Sequence, residues 1–248
     1  MTEPLLALET STRGGSVALL DGDAIVAERT LQIGEKITSR IQPMIVEILR
    51  AASLRATDLS IVAYSHGPGS FTGLRVAATS ARILHLAIGC RVIGVPTLQV
   101  IAENARTLAD PPRHVAILLD ARRDESFAAW FELLSSEPGD TRVGAAPTIV
   151  RGREWLADVP RPIVCLGSGV ASQRDAILAS GATIGDESLW TPRATVVGIL
   201  ARRLAARGEF LAPHEIVPHY LRAPECEEVY DVRRAAAVAR HRGNAPTP

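Results

Sequence analysis

The chain has 248 residues, which is enough for one large domain or two small ones with separate hydrophobic cores. Its 27 basic and 27 acidic side chains cancel, so no overall positive field attracts nucleic acid and such a contact needs a local patch or a partner. Three scattered cysteines, no apolar run of ~18 residues and no secretory leader predict a cytoplasmic protein without a disulfide framework, a cysteine zinc site or a membrane span.

The first thirty residues predict three strands, over 4–9, 16–20 and 24–30, joined by a polar turn and an Asp-Gly-Asp hairpin. This order resembles the beginning of the actin-like ATPase and sugar-kinase fold. In that fold the first turn carries an acid and hydroxyls that face phosphate and metal, and here they correspond to Glu9, Thr10, Ser11 and Thr12. An ordinary meander with a polar turn explains the same residues equally well.

Two helices with different faces follow. Apolar residues at helical spacing predict an amphipathic helix, which Pro43 bends or begins: Ile37, Ile41, Met44, Ile45, Ile48 and Leu49. A second helix, over 76–88, continues a stripe of small residues formed by Gly73, Ala77 and Ala81. Small residues let another helix approach closely, either within this chain or from a second protein.

A glycine loop, His66-Gly-Pro-Gly-Ser-Phe-Thr-Gly73, lies between a predicted strand over 61–65 and the second helix. Its glycines, Gly67, Gly69 and Gly73, allow unusual backbone angles, and Ser70 and Thr72 are candidate helix caps. Free N–H groups at a helix start attract anions. However, the glycine spacing is neither that of a phosphate loop nor that of a dinucleotide fingerprint. A sharp turn that binds nothing is therefore the alternative interpretation.

The second half repeats the pattern of strand, glycine turn and helix. A strand over 91–95 and a helix over 98–108 complete the first half. In the second half, strands are predicted over 115–119, 126–134, 146–150 and 163–166, with helices over 170–179 and 195–207 and loops over 120–125 and 139–144. Gly167, Ser168 and Gly169 form the second glycine turn. The Pro-rich break at 110–112 predicts lobes over 1–110 and 111–230, and the Arg-rich and Pro-rich end, 231–248, is predicted to be a flexible tail.

No catalytic set can be assembled from the sequence. The six histidines are scattered, and no His-x-x-x-His pair is present. Ser70 is not in the Gly-x-Ser-x-Gly turn of a hydrolase. The acids expected near the cleft between the lobes are Glu9, Asp120, Asp124 and Glu125. A phosphotransferase places carboxylates there to hold Mg²⁺, but an acidic surface turn explains the last two equally well.

The string Gly67-Pro-Gly-Ser-Phe-Thr-Gly-Leu-Arg-Val76 resembles the signature of the TsaB (YeaZ) family. Further similar segments occur in the right order, over 6–12, 41–44, 94–98, 120–125, 167–169 and 218–222. Two residues depart from the family pattern. Glu9 stands where the family usually has Asp, which puts a metal or phosphate role for residue 9 in doubt, and Lys36 stands where it often has His.

The resemblance implies a two-lobed α/β actin-like ATPase/sugar-kinase fold with mixed sheets flanked by helices and a reduced nucleotide cleft. It also implies a non-catalytic scaffold that activates a TsaD-type subunit, which adds threonylcarbamoyl to N6 of adenosine 37 in ANN-decoding tRNAs. A TsaE-type ATPase joins the pair, tRNA is contacted indirectly, and a homodimer is a second arrangement. This subunit would need no cofactor, with ATP and Mg²⁺ acting at the level of the complex.

Two sets of site residues follow from these interpretations. Candidates for a nucleotide or phosphate site are Glu9, Thr10, Ser11, Gly67, Gly69, Ser70, Thr72, Gly73, Gly167, Ser168 and Gly169. Candidates for the partner interface are Ile41, Met44, Ile45, Ile48, Gly73, Arg75, Ala77 and Ala81. The alternative function is a small Mg-ATP-dependent kinase or ATPase that uses the first set. Peptidase activity is disfavoured because no nucleophile–base pair or metal site is found.

Overall fold

The structure is a computed structural model, and it describes residues 3–151 and 154–222. The predicted tail over 231–248 and Cys226 lie outside the described residues. Within the described residues, no helix has both the length and the apolar character needed to cross a membrane. The cytoplasmic location stays a prediction.

The first sheet has five strands in the order β3-β2-β1-β4-β5. Their bounds are β1 Pro4–Glu9, β2 Ser16–Asp21, β3 Ala24–Thr30, β4 Ile61–Gly67 and β5 Arg91–Pro96. The strands β1, β2 and β3 form an antiparallel meander, while β4 and β5 run parallel to β1. Strand β1 is buried on both faces because it lies in the middle of the sheet, which explains its unbroken apolar sequence.

The second sheet repeats this arrangement in the order β10-β9-β6-β7-β8. Its strands are β6 His114–Asp120, β7 Glu125–Leu133, β8 Thr141–Arg151, β9 Val164–Leu166 and β10 Thr183–Ile184. Again the first three strands are antiparallel and the last two are parallel to the first. The matching topology of the two sheets confirms the predicted two-lobed α/β fold of the actin-like type.

One predicted loop is wrong. Residues 141–144, expected to be loop, are the first part of β8, where Val143 pairs with Phe131. Gly144 had favoured a loop, but a side chain there would collide with the ring of Trp130, about 2.2 Å away from the position of a Cβ. Glycine therefore serves close packing between neighbouring strands at this position.

Helices α1 (Ile37–Ala51) and α2 (Phe71–Ile88) cover one face of the first sheet. Helix α2 begins five residues earlier than predicted because Ser70 caps it, with Ser70 Oγ accepting a hydrogen bond from the Gly73 N–H at 3.3 Å. Pro43 lies inside α1. The opposite face of this sheet packs against α6 (Ala194–Ala206), which comes from the end of the chain.

The two lobes exchange helices. Helix α3 (Thr97–Glu103) precedes the predicted boundary at 110, yet Leu98 and Ile101 pack in the core of the second sheet. Helix α6 follows all the strands of the second sheet but packs on the first. The other helices of the second lobe are the short α4 (Glu154–Ala157) and α5 (Val170–Ala179). The cores of the two lobes therefore depend on segments from both halves of the chain.

The segment after α6 runs back across both lobes. The N–H of Leu211 donates to the carbonyl of Val92, and the N–H of His219 donates to the carbonyl of His66 at 2.6 Å. At its end, Arg222 donates to the carbonyl of Ala121 in the second lobe. Residues 209–222 contain one short 3₁₀ turn, Pro213–Glu215.

Candidate functional site

A cleft of about 860 Å³ separates the two lobes. Each lobe contributes the loops that follow its first and fourth strands, because those strands run parallel and end at the same edge of their sheet. The first lobe contributes residues 11–14 and 68–72, and the second contributes residues 119–123 and Ser168. The segment over 219–222 and five further residues complete the lining: Leu74, Phe127, Glu187, Trp190 and Thr191. Crevices at the carboxyl ends of parallel strands are common ligand sites.

The predicted phosphate-site residues divide into two groups. Ser11, Gly69, Ser70, Thr72 and Ser168 line the cleft. The remaining candidates, which are not among the lining residues, are Glu9, Thr10, Gly67, Gly73, Gly167 and Gly169. The structure therefore brings hydroxyl groups from both lobes to one cavity, while most of the glycines lie behind it.

The glycines of the first loop are required by close backbone contacts. A Cβ at Gly73 would lie 1.8 Å from the carbonyl oxygen of Thr10, and one at Gly69 would lie 2.4 Å from that of Ser11. Gly67 has a φ of +128° and lies against the backbone of His219. The N–H of Ser70 is occupied, because it donates to the carbonyl of Ser11 at 2.7 Å. Packing between the two loops thus accounts for the glycine pattern.

The second glycine turn has the same structural role. A Cβ at Gly167 would lie 2.4 Å from the carbonyl oxygen of Leu118, and the N–H of Gly169 donates to that oxygen at 2.8 Å. Ser168 faces the cleft, where its Oγ accepts a hydrogen bond from the N–H of Asp120 at 3.2 Å. The turn therefore ties the end of β9 to the end of β6.

Glu9 does not face the cleft. Its side chain is fully buried, and its Oε1 accepts hydrogen bonds from Ser11 N at 2.6 Å and Ser11 Oγ at 2.5 Å. Its Oε2 accepts one from Ser65 Oγ. Burial raises the pKa of this carboxyl above its usual value, against the opposing effect of these hydrogen bonds. The Glu9 carboxylate therefore supports the loop from behind the cleft, and it is not among the residues that line the cleft.

Thr10 is also directed into the interior. Its Oγ1 donates a hydrogen bond to the carbonyl of Gly73 at 2.7 Å, and its side chain is fully buried. It therefore fastens the first turn of α2 to the end of β1. Thr12 differs, since it lines the cleft and its buried Oγ1 has no hydrogen-bond partner within the described residues.

The turn between β6 and β7 supplies the charged wall of the cleft. Arg122, Arg123 and Asp124 have φ values of 64°, 55° and 59°, so three consecutive residues adopt the left-handed conformation. Such angles are uncommon outside glycine and cost free energy that the surroundings must offset. Here the N–H of Arg122 donates to Asp120 Oδ1 at 2.8 Å, and the N–H of Glu125 donates to the carbonyl of Arg122.

Burial shifts the pKa of one histidine and two cysteines toward their neutral forms. His66, the histidine beside the glycine loop, has its pKa lowered to about 4, chiefly because it is buried and also because His219 lies nearby. Burial raises the pKa of Cys90 to about 11 and that of Cys165 to about 12. Within the ranges 3–151 and 154–222, no three His, Cys, Asp or Glu side chains come close enough to hold a metal ion.

Most of the predicted interface residues do not reach the surface. Six of them are at most 5% exposed, namely Ile41, Met44, Ile45, Ile48, Ala77 and Ala81, and Gly73 is also buried. They pack between α1, α2 and the first sheet. The apolar faces of both helices are therefore used by the chain's own core, so these predicted interface residues do not form an exposed surface. Arg75 alone of that set is exposed.

The outer face of the helix pair carries other apolar residues. Val46 on α1 is 45% exposed, and Ile83 and Leu86 on α2 are 57% and 73% exposed. Both helices return from the same edge of the sheet, so they run in the same direction. Gln42 Nε2 donates to Ser80 Oγ at 2.8 Å and fixes their register. Val46 and Ile83 follow these residues by one turn each and so lie at the same level.

Comparisons with known proteins agree on one family. The family described as "TsaD: tRNA N6-adenosine threonylcarbamoyltransferase" matches residues 32–145. The tRNA threonylcarbamoyladenosine biosynthesis protein TsaB of Escherichia coli (strain K12) is 32% identical to this chain over 223 residues, which cover 88% of this chain and 94% of that protein. The TsaB protein of Bacillus subtilis (strain 168) is 27% identical over 230 residues, with 90% and 96% covered. The solved structure of YeaZ from Pseudomonas aeruginosa superposes with a TM-score of 0.75 at 28% identity, covering 88% of this chain and all of that one.

Proposed function

Because the chain belongs to the TsaB family, we propose that it takes part in the synthesis of threonylcarbamoyladenosine in tRNA. The names of its relatives in Escherichia coli and Bacillus subtilis state this role for those proteins. The similarity supports the same role here because it extends over both lobes. It includes the helix pair and the turns that line the cleft.

Within that process the chain acts as a non-catalytic scaffold that activates a TsaD-type catalytic subunit. Two features support this division of labour. Glu9, the acid at the end of the first strand, is buried and bonded to Ser11 and Ser65. Among the described residues, no cluster of metal-ligating side chains is present. A phosphotransferase of this fold class needs carboxylates that hold Mg²⁺ in the cleft. We propose further that this subunit needs no cofactor of its own, with ATP and Mg²⁺ acting at the level of the complex.

The docking surface is the outer face of α1 and α2, and the apolar side chains exposed there carry the proposal. Val46, Ile83 and Leu86 are exposed large apolar residues on adjacent helices, with Val46 and Ile83 at the same level and Leu86 almost one turn further along α2. An apolar patch on a rigid helix pair is suited to bind a second helix pair by ridges-into-grooves packing. The buried stripe of Gly73, Ala77 and Ala81 contributes indirectly, since it holds the two helices close together. A TsaD-type protein is the occupant proposed for this surface.

Two substitutions on this surface test the proposal. Ile83→Asp with Leu86→Asp removes two exposed apolar side chains and adds charge. Burying one aliphatic side chain contributes about 1.5–3 kcal/mol, so the pair should lose at least about 3 kcal/mol of binding, or more than ~100-fold in Kd. Co-purification with the TsaD-type protein and the threonylcarbamoyladenosine content of tRNA should both fall sharply.

Leu178→Asp is the matched control, because Leu178 is 51% exposed on α5 in the second lobe. It should leave both measurements unchanged. Normal complex formation by the double variant would refute this docking surface. If the double variant also fails to dimerise with a second copy of the chain, the same surface serves both associations. A homodimer that persists while the TsaD complex is lost would assign the surface to the TsaD-type partner alone.

A second candidate function, favoured by the cleft, is that of a small Mg-ATP-dependent kinase or ATPase. Its volume of about 860 Å³ and the hydroxyls of Ser11, Thr72 and Ser168 are what favour it. The position of Glu9 opposes it. Steady-state ATP hydrolysis by the isolated chain decides the matter, because turnover at enzymatic rates would reject the scaffold role.

A further inference from the structure

The cleft has a charge that the chain as a whole lacks. The chain is formally neutral, with 27 basic and 27 acidic side chains. The cleft lining contains four arginines, Arg13, Arg122, Arg123 and Arg222, but only two acids, Asp120 and Glu187. Arg222 is paired with Glu125. The lining is therefore locally basic, and a basic groove concentrates anions.

Two of these arginines are available to a ligand. Arg13 from the first lobe and Arg122 from the second are both exposed on opposite walls. Throughout residues 3–151 and 154–222, neither guanidinium has an ion-pair partner, whereas most other lining charges are engaged. The carboxylate of Asp120 already accepts the N–H of Arg122. An anion between the walls would therefore meet one unpaired cation from each lobe.

The turn that carries Arg122 is held in a costly conformation. Its three consecutive left-handed residues are kept in place by the hydrogen bonds from Ala121 N–H to the carbonyl of Glu125 and from Glu125 N–H to the carbonyl of Arg122. A hairpin between β6 and β7 could be closed more cheaply by glycine or asparagine at these positions. The strained turn places the arginine in the cleft, and strain of this kind is concentrated at functional sites.

Three aromatic residues, Phe71, Trp190 and Tyr220, also line the cleft. Phe71 and Tyr220 stack with ring centroids 5.0 Å apart, and Arg75 lies over the Phe71 ring at 3.7 Å. Trp190 lines the second lobe's side, and its Nε1 donates to the carbonyl of Gly185 at 3.0 Å. All three residues are half-buried. Cationic grooves with such rings bind single-stranded nucleic acid through phosphate contacts and base stacking.

We propose that this cleft binds a single-stranded segment of RNA directly, with phosphates between Arg13 and Arg122 and a base against the half-buried rings. This rests on the proposed function, and it makes the subunit a direct contact for tRNA in place of the indirect one expected from the sequence. The carboxylate that could have recruited a metal, Glu9, is turned away. Arginine therefore neutralises the phosphates, and binding requires no divalent cation.

The test uses the full chain and a fluorescein-labelled single-stranded RNA of about 15 nucleotides. Fluorescence anisotropy is measured in EDTA over a series of salt concentrations. For single strands, a plot of the logarithm of the affinity against the logarithm of the salt concentration has a slope of about −0.7 per phosphate contact. Arg13→Ala with Arg122→Ala should therefore reduce the slope by about 1.4 and the affinity about 25-fold at about 0.1 M salt. The matched control replaces Arg50 on α1 and Arg174 on α5, which are exposed and lie outside the cleft lining.

Retained affinity in the control and loss in the Arg13/Arg122 variant support the proposal. RNA that does not bind the wild-type chain, or that binds both double variants equally, overturns it. Displacement of the RNA by millimolar AMP is compatible with a nucleotide-sized subsite, whereas ATP binding without any RNA binding overturns the proposal. Co-purification with the TsaD-type protein is measured in parallel. If co-purification persists while RNA binding is absent, this inference fails and the docking proposal stands. Loss of co-purification in the Ile83→Asp/Leu86→Asp variant tests the docking proposal alone.

Discussion

The burial of Ala81 gives a direct test of which face of α2 is available to a partner. Ala81 is fully buried among the apolar residues that α1 and α2 share with the first sheet. Thr79 is two residues away on the same helix and is exposed. Arginine at either position adds the same side chain and the same charge. Only the position on the helix differs, so the pair isolates the effect of burial.

The expected losses of folding free energy at the two positions differ by about an order of magnitude. At residue 81 the larger side chain overpacks the core, which costs about 1–3 kcal/mol, and the buried guanidinium adds a penalty of several kcal/mol. The sum is comparable with the whole stability of a typical domain, about 5–15 kcal/mol. Thr79→Arg, as a surface change, should stay within about 0.5 kcal/mol. Ala81→Val is a milder variant, with an expected loss of about 1–3 kcal/mol.

Urea unfolding followed by circular dichroism measures these differences. Ala81→Arg should be unfolded or insoluble, Ala81→Val should have a lower midpoint, and Thr79→Arg should match the wild type. A folded Ala81→Arg variant with a normal midpoint that no longer binds the TsaD-type protein would refute the reasoning. That outcome would mean that Ala81 faces the partner rather than the core.

Three other substitutions probe the loops behind the cleft. Gly73→Ala should destabilise by at least about 1–3 kcal/mol, lowering Tm by several degrees, because the new Cβ would meet the carbonyl of Thr10, whereas the exposed Thr72→Ala should not. Glu9→Gln should fold and become relatively more stable as the pH rises, since an acid whose pKa is raised by folding loses stability above its ordinary pKa of 4.5; an unchanged pH profile of unfolding would contradict this. His66 has its pKa lowered to about 4, so its contribution to stability is present above pH 6.5 and lost as the pH falls toward 4. His66→Gln should flatten the acid side of the stability curve, and a curve as steep as that of the wild type would show that another group titrates.

The apolar patterns in the sequence predicted most of the elements correctly. Strands β1 and β3 have the predicted bounds, and α1 and α5 occupy the predicted segments. Local signals sufficed there, because strand and helix periodicity depend only on neighbouring residues. The loop prediction for residues 141–144 was wrong because it depended on local signals alone. Their pairing with β7 is a long-range contact, and the glycine that suggested a loop makes room for Trp130.

The sequence alone determined the family and the presence of an amphipathic helix pair. Tertiary structure decided which side of that pair is exposed, because both helices have apolar residues on two faces and only packing selects the one that covers the sheet. It also turned Glu9 inward, since Ser11 and Ser65 meet it from different strands. Finally, it brought Arg13 and Arg122 to opposite walls of one cleft, although 108 positions separate them in the sequence. Such proximity depends on how the two sheets face each other, which local sequence patterns do not predict.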